Sequence, residues 1–208
     1  MSKSTHDGHL GAVYDAGAPA EVAAIYDSWA ETYDAEMAQA GYRHPSVALA
    51  LLARHLPRGA APLLDAGVGT GLIGDWLGII GYPHVEGLDI SEGMLAVASR
   101  KGSYKALHHL ALGGHLPFAD GHFAGVVSTG VFTTGHVGAE GLDELIRICR
   151  VGGVLVLTVK MAVWDDGFES RIRGLAELVK VEEQTPPYVS MPGEVGTSPG
   201  LAVALRRI

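Results

Sequence analysis

The stretch Leu63–Gly74, LLDAGVGTGLIG, places four glycines within eight positions, and Gly69, Gly71 and Gly74 read G-x-G-x-x-G. Glycines at this spacing let a chain turn sharply at the end of a strand and bring its backbone close to a bound nucleotide. No Gly-Lys-Ser/Thr follows them, which excludes a loop of the triphosphate-binding kind. A nicotinamide dinucleotide and another adenosyl ligand both remain open at this point. Either needs an acid at the end of the next strand to hold the ribose hydroxyls, and Asp89, closing HVEGLD, fills that place.

Asp65 separates the two. It precedes the glycines, so the run is better read as D-x-G-x-G-x-G. A carboxylate aimed at a pyrophosphate repels it, at a cost of roughly several kcal/mol when water is excluded. The same carboxylate is favourable beside the ammonium and sulfonium of a methionine-type ligand. No Tyr-x-x-x-Lys pair accompanies the loop to support hydride chemistry. The residues therefore favour S-adenosylmethionine over the dinucleotide.

The elements that must position these groups follow from periodicity. Val22, Ile25, Tyr26, Trp29, Tyr33 and Met37 recur every three or four residues, as on an amphipathic helix ended by Gly41. A second helix is expected over Ser46 to Leu56. From there, PLLDAG, HVEGLDI, YKALHHLAL, AGVVSTG and GGVLVLTVK read as strands alternating with helices at Leu72–Ile80, at Ser91–Arg100 with Ser91 as N-cap, and at Leu142–Arg150. Such alternation implies a parallel sheet with crossover helices. Cys149 falls on the apolar spacing of the last of these helices and reads as helix core. After a helix around Phe168–Leu178, the strands VKVEEQTPPY and GLAVALRRI have no helix between them, so they should pair antiparallel. Residues 1–20 read as a flexible tail and 21–208 as one domain, with 21–57 a helical lid and 61–208 the core.

Four stretches in order, LLDAGVGTG, GLDISEGML, LPFADGHFAGVVSTG and VGGVLVLTV, resemble the successive motifs of class I S-adenosylmethionine-dependent methyltransferases. IYDSWAETYDAEM and TGVFTTGHV resemble the Williams–Beuren-region type and its bacterial relatives. The resemblance covers about residues 21–208. It implies an α/β, Rossmann-like domain with a seven-stranded, mostly parallel sheet, its last strand antiparallel, helices on both faces and an N-terminal helical lid. The implied reaction is methyl transfer from S-adenosylmethionine to a small molecule, leaving S-adenosylhomocysteine.

On this reading the cofactor is held by Asp65, Gly67, Gly69, Gly71, Asp89, Ile90, Met94, Leu112 and Thr129. The resemblance adds Tyr33, with Tyr26 and Trp29, over the methionyl end. His136, just past the fourth strand, is the candidate general base. Trp29, Phe132, Trp164 and Tyr188 are expected around the acceptor. There are departures from the family pattern. Ala111 stands where relatives carry an adenine-contacting Asp, while Ala124 and Val151 replace a customary Asp and Pro. Ala111 keeps a second reading open, a non-catalytic protein that binds S-adenosylmethionine or S-adenosylhomocysteine.

TPPY, Thr185–Tyr188, imitates a motif of base-methylating enzymes but lies before the last strand instead of after the fourth, so it reads as a rim turn. A net charge of −8 argues against a nucleic-acid partner. His108, His109, His115 and His122 are close in sequence, but adjacent strand residues point to opposite faces, and no metal is expected. The chain lacks both an apolar leader and any long apolar run, so a cytoplasmic location without a membrane span is expected, as a monomer or homodimer.

Overall fold

The computed structural model describes residues 8–194 and 198–208. Seven strands form one sheet in the order β3-β2-β1-β4-β5-β7-β6. These are β1 (Leu63–Ala66), β2 (Val85–Asp89), β3 (Ala106–His109), β4 (Phe123–Phe132), β5 (Cys149–Lys160), β6 (Val179–Gln184) and β7 (Gly200–Arg207). The pairs from β3 through β5 are parallel. Only β7 runs the other way, antiparallel to β5 and β6. The helix-free tail had predicted that pairing.

Alternation along the strands supplies two cores. Leu64 and Leu155 enter one cluster with Leu142, Leu145 and Ile146 of α7 (Gly141–Ile148). Leu63 and Val154 enter the other with Leu51 and Leu52 of α4 (His44–His55) and Leu77 of α5 (Gly74–Ile79). Successive strand residues thus bury opposite faces, which is why helices must cover both.

Ser91 caps α6 (Glu92–Lys101) as expected, its Oγ accepting from Met94 N at 3.0 Å. Gly41 closes α3 (Tyr33–Ala40) in the left-handed conformation. The single helix expected before Gly41 is instead two, α2 (Pro19–Trp29) and α3, broken by a turn over 30–32 that the apolar spacing does not register. Within the stretch read as a tail, Gly8–Asp15 forms α1 and buries Val13 completely; residues 1–7 lie outside the described residues. Val13 joins Trp29, Met37, Ala40 and Met191 in a third cluster that fastens the lid. Cys149 is buried, but at the head of β5, so its expected helical place is corrected to a strand. Beyond β5, α8 (Met161–Val163) leads through a π-helical turn at Trp164–Phe168 into α9 (Glu169–Gly174). None of the described helices is long and apolar enough to cross a membrane.

Candidate active site

At the C-terminal ends of β1, β2 and β4, beneath α2, lies a cavity of about 340 Å³. Parallel strands leave their loops at this edge, where a crevice opens between neighbouring crossovers. Its floor is the glycine loop. Gly69 has φ +53°, and a Cβ added there would meet nothing within 4 Å, so this backbone faces open space. A Cβ at Gly67 would instead strike Val131, and one at Gly71 would meet Tyr104 and Ala98. Gly71 is thus a packing glycine, and the structure does not bring it to the cavity wall as the sequence reading had it.

Asp89 stands at the end of β2 as expected. Its Oδ2 accepts from Gly69 N at 2.8 Å and its Oδ1 from Ser91 N at 3.0 Å. Burial raises its pKa, while those backbone donors oppose the rise. Two N–H groups thus orient a desolvated carboxylate at the lip of the cavity. Ile90, Met94, Leu112 and Thr129 also line the space, and Ala111 presents only a methyl group there.

Asp65 is the main correction. It does not line the cavity. Its Oδ2 accepts from Tyr104 Oη at 2.7 Å and its Oδ1 is buried without a hydrogen-bond partner. Burial raises its pKa to about 7, and the charge of Asp89 pushes the same way. Tyr104, 39 residues along the chain from Asp65, is what turns the carboxylate toward the strand-to-helix packing.

The lid closes the other side. Pro19, Val22 and Tyr26 of α2 and Tyr33 of α3 line the cavity. His136 lies among them, its Nε2 2.9 Å from Tyr26 Oη and its Nδ1 3.2 Å from the Thr134 carbonyl. A carbonyl only accepts, so Nδ1 carries the hydrogen, and Nε2 accepts from the Tyr26 hydroxyl. Burial lowers the His136 pKa and holds the ring neutral.

The lid is anchored from outside the cavity. Asp27 Oδ1 accepts from Ser91 Oγ at 2.6 Å and from Gly93 N at 2.8 Å, tying α2 to the start of α6. Asp34 accepts from Thr70 Oγ1 and pairs with Lys101.

The expected acceptor residues divide. Trp29 and Phe132 line a second, smaller chamber that shares Tyr26, Tyr33 and Gly130 with the first. Tyr188 lines neither cavity; it stands behind the small chamber, its hydroxyl 2.6 Å from His44 Nδ1. Trp164 also lines neither, being buried with its ring 6.0 Å from that of Phe168. Among the described residues no group of three or more His, Cys, Asp or Glu could hold a metal. His108 is engaged with Glu86 and His109 with the Ile90 carbonyl. Sequence reasoning missed Val131, Gly135, Val137 and Glu140, all cavity-lining. Val131 ends β4 beside Phe132, and the other three lie between β4 and α7, where no periodicity marks a pocket.

Residues 64–157 match the family described as methyltransferase domain. Methyltransferase-like protein 27 of Homo sapiens is 35% identical over 139 residues, 65% of this chain and 56% of that protein. The demethylmenaquinone methyltransferase of Clavibacter sepedonicus is 30% identical over 142 residues, 67% of this chain and 58% of that one. The solved structure of a TehB-like SAM-dependent methyltransferase from Corynebacterium glutamicum shares the fold, with a TM-score of 0.64 at 23% identity, covering 89% of this chain and 99% of that one.

Residues 64–157 thus form a methyltransferase domain, on a fold of the class I S-adenosylmethionine-dependent kind.

The chain spans a little over half the length of these two curated relatives. The cavity fits S-adenosylmethionine. An open-faced glycine backbone and a pinned carboxylate suit a ribose, and the apolar Ile90 and Met94 suit an adenine face.

Proposed function

We propose that the protein transfers the methyl group of S-adenosylmethionine to a small-molecule acceptor enclosed by α2 and α3. The observation that carries this reading is one cavity lined by Asp89 and Gly69 on one side and by Tyr26, Tyr33 and His136 on the other. A pocket roofed by helices suits a small acceptor better than a polymer. In this reading Asp89 accepts from the ribose hydroxyls, Gly67 and Gly69 admit the ribose and methionyl backbone, and Ile90, Met94 and Leu112 enclose the adenine. Tyr33 and Thr129 border the methionyl end.

S-adenosylmethionine supplies an electrophilic methyl group whose transfer leaves a neutral thioether. The chain's own contribution is mainly placement, since holding two reactants in line is worth effective molarities of about 10⁵ M or more. His136 Nε2 is neutral, donor-free and already accepting from a hydroxyl. An acceptor hydroxyl or amine that takes the place of the Tyr26 hydroxyl would give its proton to that nitrogen. Tyr26 holds the ring in the correct tautomer until then.

The test is a survey of small acceptors with S-adenosylmethionine, read as S-adenosylhomocysteine formed. Turnover of one acceptor, reduced about a hundredfold or more in His136→Ala, supports both acceptor class and base. A loss below about tenfold assigns His136 to positioning alone. Tight binding of S-adenosylhomocysteine with no turnover of any acceptor would favour the non-catalytic reading that Ala111 keeps open.

A further inference from the structure

The smaller chamber, about 30 Å³, has room for a group of roughly two water-sized atoms, so it can admit only one end of a ligand. What lines it is unlike the rest of the core. Lys160, at the end of β5, brings an ammonium that is only 6% exposed in a protein of net charge −8. His44 is 3% exposed; burial, then the nearby Lys160 charge, lowers its pKa to about 3, so it is neutral. Ser190 Oγ and Thr133 Oγ1 are both buried and have no hydrogen-bond partner. No carboxylate is among the described residues that line the chamber. Buried hydroxyls are nearly always satisfied, and a pair left open beside a buried cation is donor capacity awaiting an anion.

We propose that this chamber receives a carboxylate of the methyl acceptor, which makes the acceptor a small organic acid whose reacting atom lies in the main cavity. The inference rests on the methyl-transfer reading above. The walls place the anion on the acceptor and not on the cofactor. Thr133, Lys160 and His44 follow or flank β4 and β5, whereas Gly69 and Asp89 follow β1 and β2, on the other side of the sheet order. Tyr26, Tyr33 and Gly130 are shared, so one ligand can reach from one space into the other.

The test titrates the protein, saturated with S-adenosylhomocysteine, with acetate, propionate and benzoate and with the three matching amides. At least one acid should bind about tenfold or more tightly than its amide. Lys160→Met should reduce that preference to about twofold or less. Ser190→Ala, a smaller change in a site without a partner, should weaken the acid a few-fold and leave the amide unchanged, which guards against misfolding of the first variant. Equal binding of acids and amides, no acid binding at tens of millimolar, or a preference that survives in both variants overturns the proposal. A loss of S-adenosylhomocysteine affinity in Lys160→Met, with methylthioadenosine unaffected, would give the chamber to the cofactor's own carboxylate and also overturn it. Failure of the wild-type protein to bind S-adenosylhomocysteine is a separate result that removes the methyl-transfer reading itself.

Discussion

The backbone N–H of Gly69 donates to Asp89 Oδ2 at 2.8 Å, so the glycine loop after β1 and the acid after β2 form one rigid corner. Two features that the sequence places 20 residues apart are thus a single device. Asp89→Ala removes the acceptor proposed for the ribose hydroxyls and frees the loop. Affinity for S-adenosylhomocysteine should fall by at least about tenfold, and about 2 kcal/mol is expected for two charge-assisted bonds. Calorimetric titration of the variant measures it, and an unchanged dissociation constant would refute the role given to Asp89.

Gly69 and Gly74 should fail in different ways. Gly69→Val puts a branched side chain at φ +53° and into the cavity, so cofactor binding should be lost along with some stability. A Cβ at Gly74 would lie 2.6 Å from the Tyr104 ring, so Gly74→Ala should lower the melting temperature while the variant that folds still binds S-adenosylhomocysteine. Thermal melts with and without ligand separate the two.

Asp65 gives a pH signature with a definite sign. Its folded pKa, about 7, lies above the ordinary value of 3.8. The folded protein therefore holds a proton that the unfolded chain releases, and stability is lost as pH rises from about 4 through 7. Asp65→Asn keeps an oxygen for the Tyr104 hydroxyl without the buried charge. It should be roughly 4 kcal/mol more stable than the wild type at pH 8, with the gain vanishing toward pH 4. His44 acts in the opposite sense. Its pKa is lowered from 6.5 to about 3, so its stabilisation is complete above about 6.5 and is lost as pH falls from there. Comparing denaturant unfolding of both proteins across this range isolates the Asp65 contribution; a gain independent of pH would contradict the buried-charge account.

Tyr26 and Asp27 are neighbours on α2 with different duties. Tyr26→Phe removes the donor to His136 Nε2 and should alter the pH profile of turnover with little change in cofactor affinity. Asp27→Ala removes the two contacts that hold α2 to α6. The carboxylate is mostly exposed, so global stability should change by less than about 1 kcal/mol. Amide exchange over 19–29 should nevertheless quicken severalfold, because local opening of the lid no longer breaks those bonds.

Much of this was legible before the fold was known. Strand-helix alternation, the glycine loop, Asp89 and the Ser91 cap are local signals, and the helix-free link between β6 and β7 implies their antiparallel pairing. What was not legible depends on distant partners. The direction of Asp65 is set by Tyr104, and that of Tyr188 by His44. Trp164 enters the core through a π-helical turn, with Gly167 at φ +107°, that shifts the helical register. The small chamber assembles His44, Thr133, Lys160 and Ser190 from four separate segments, and no spacing in the sequence connects them.

The most direct measurement is calorimetric titration of the purified protein with S-adenosylhomocysteine. The geometry of Asp89, Gly69 and the lid predicts stoichiometric binding in the micromolar range, weakened by at least about tenfold in Asp89→Ala. No heat of binding at millimolar ligand would contradict the cofactor site and, with it, methyl transfer.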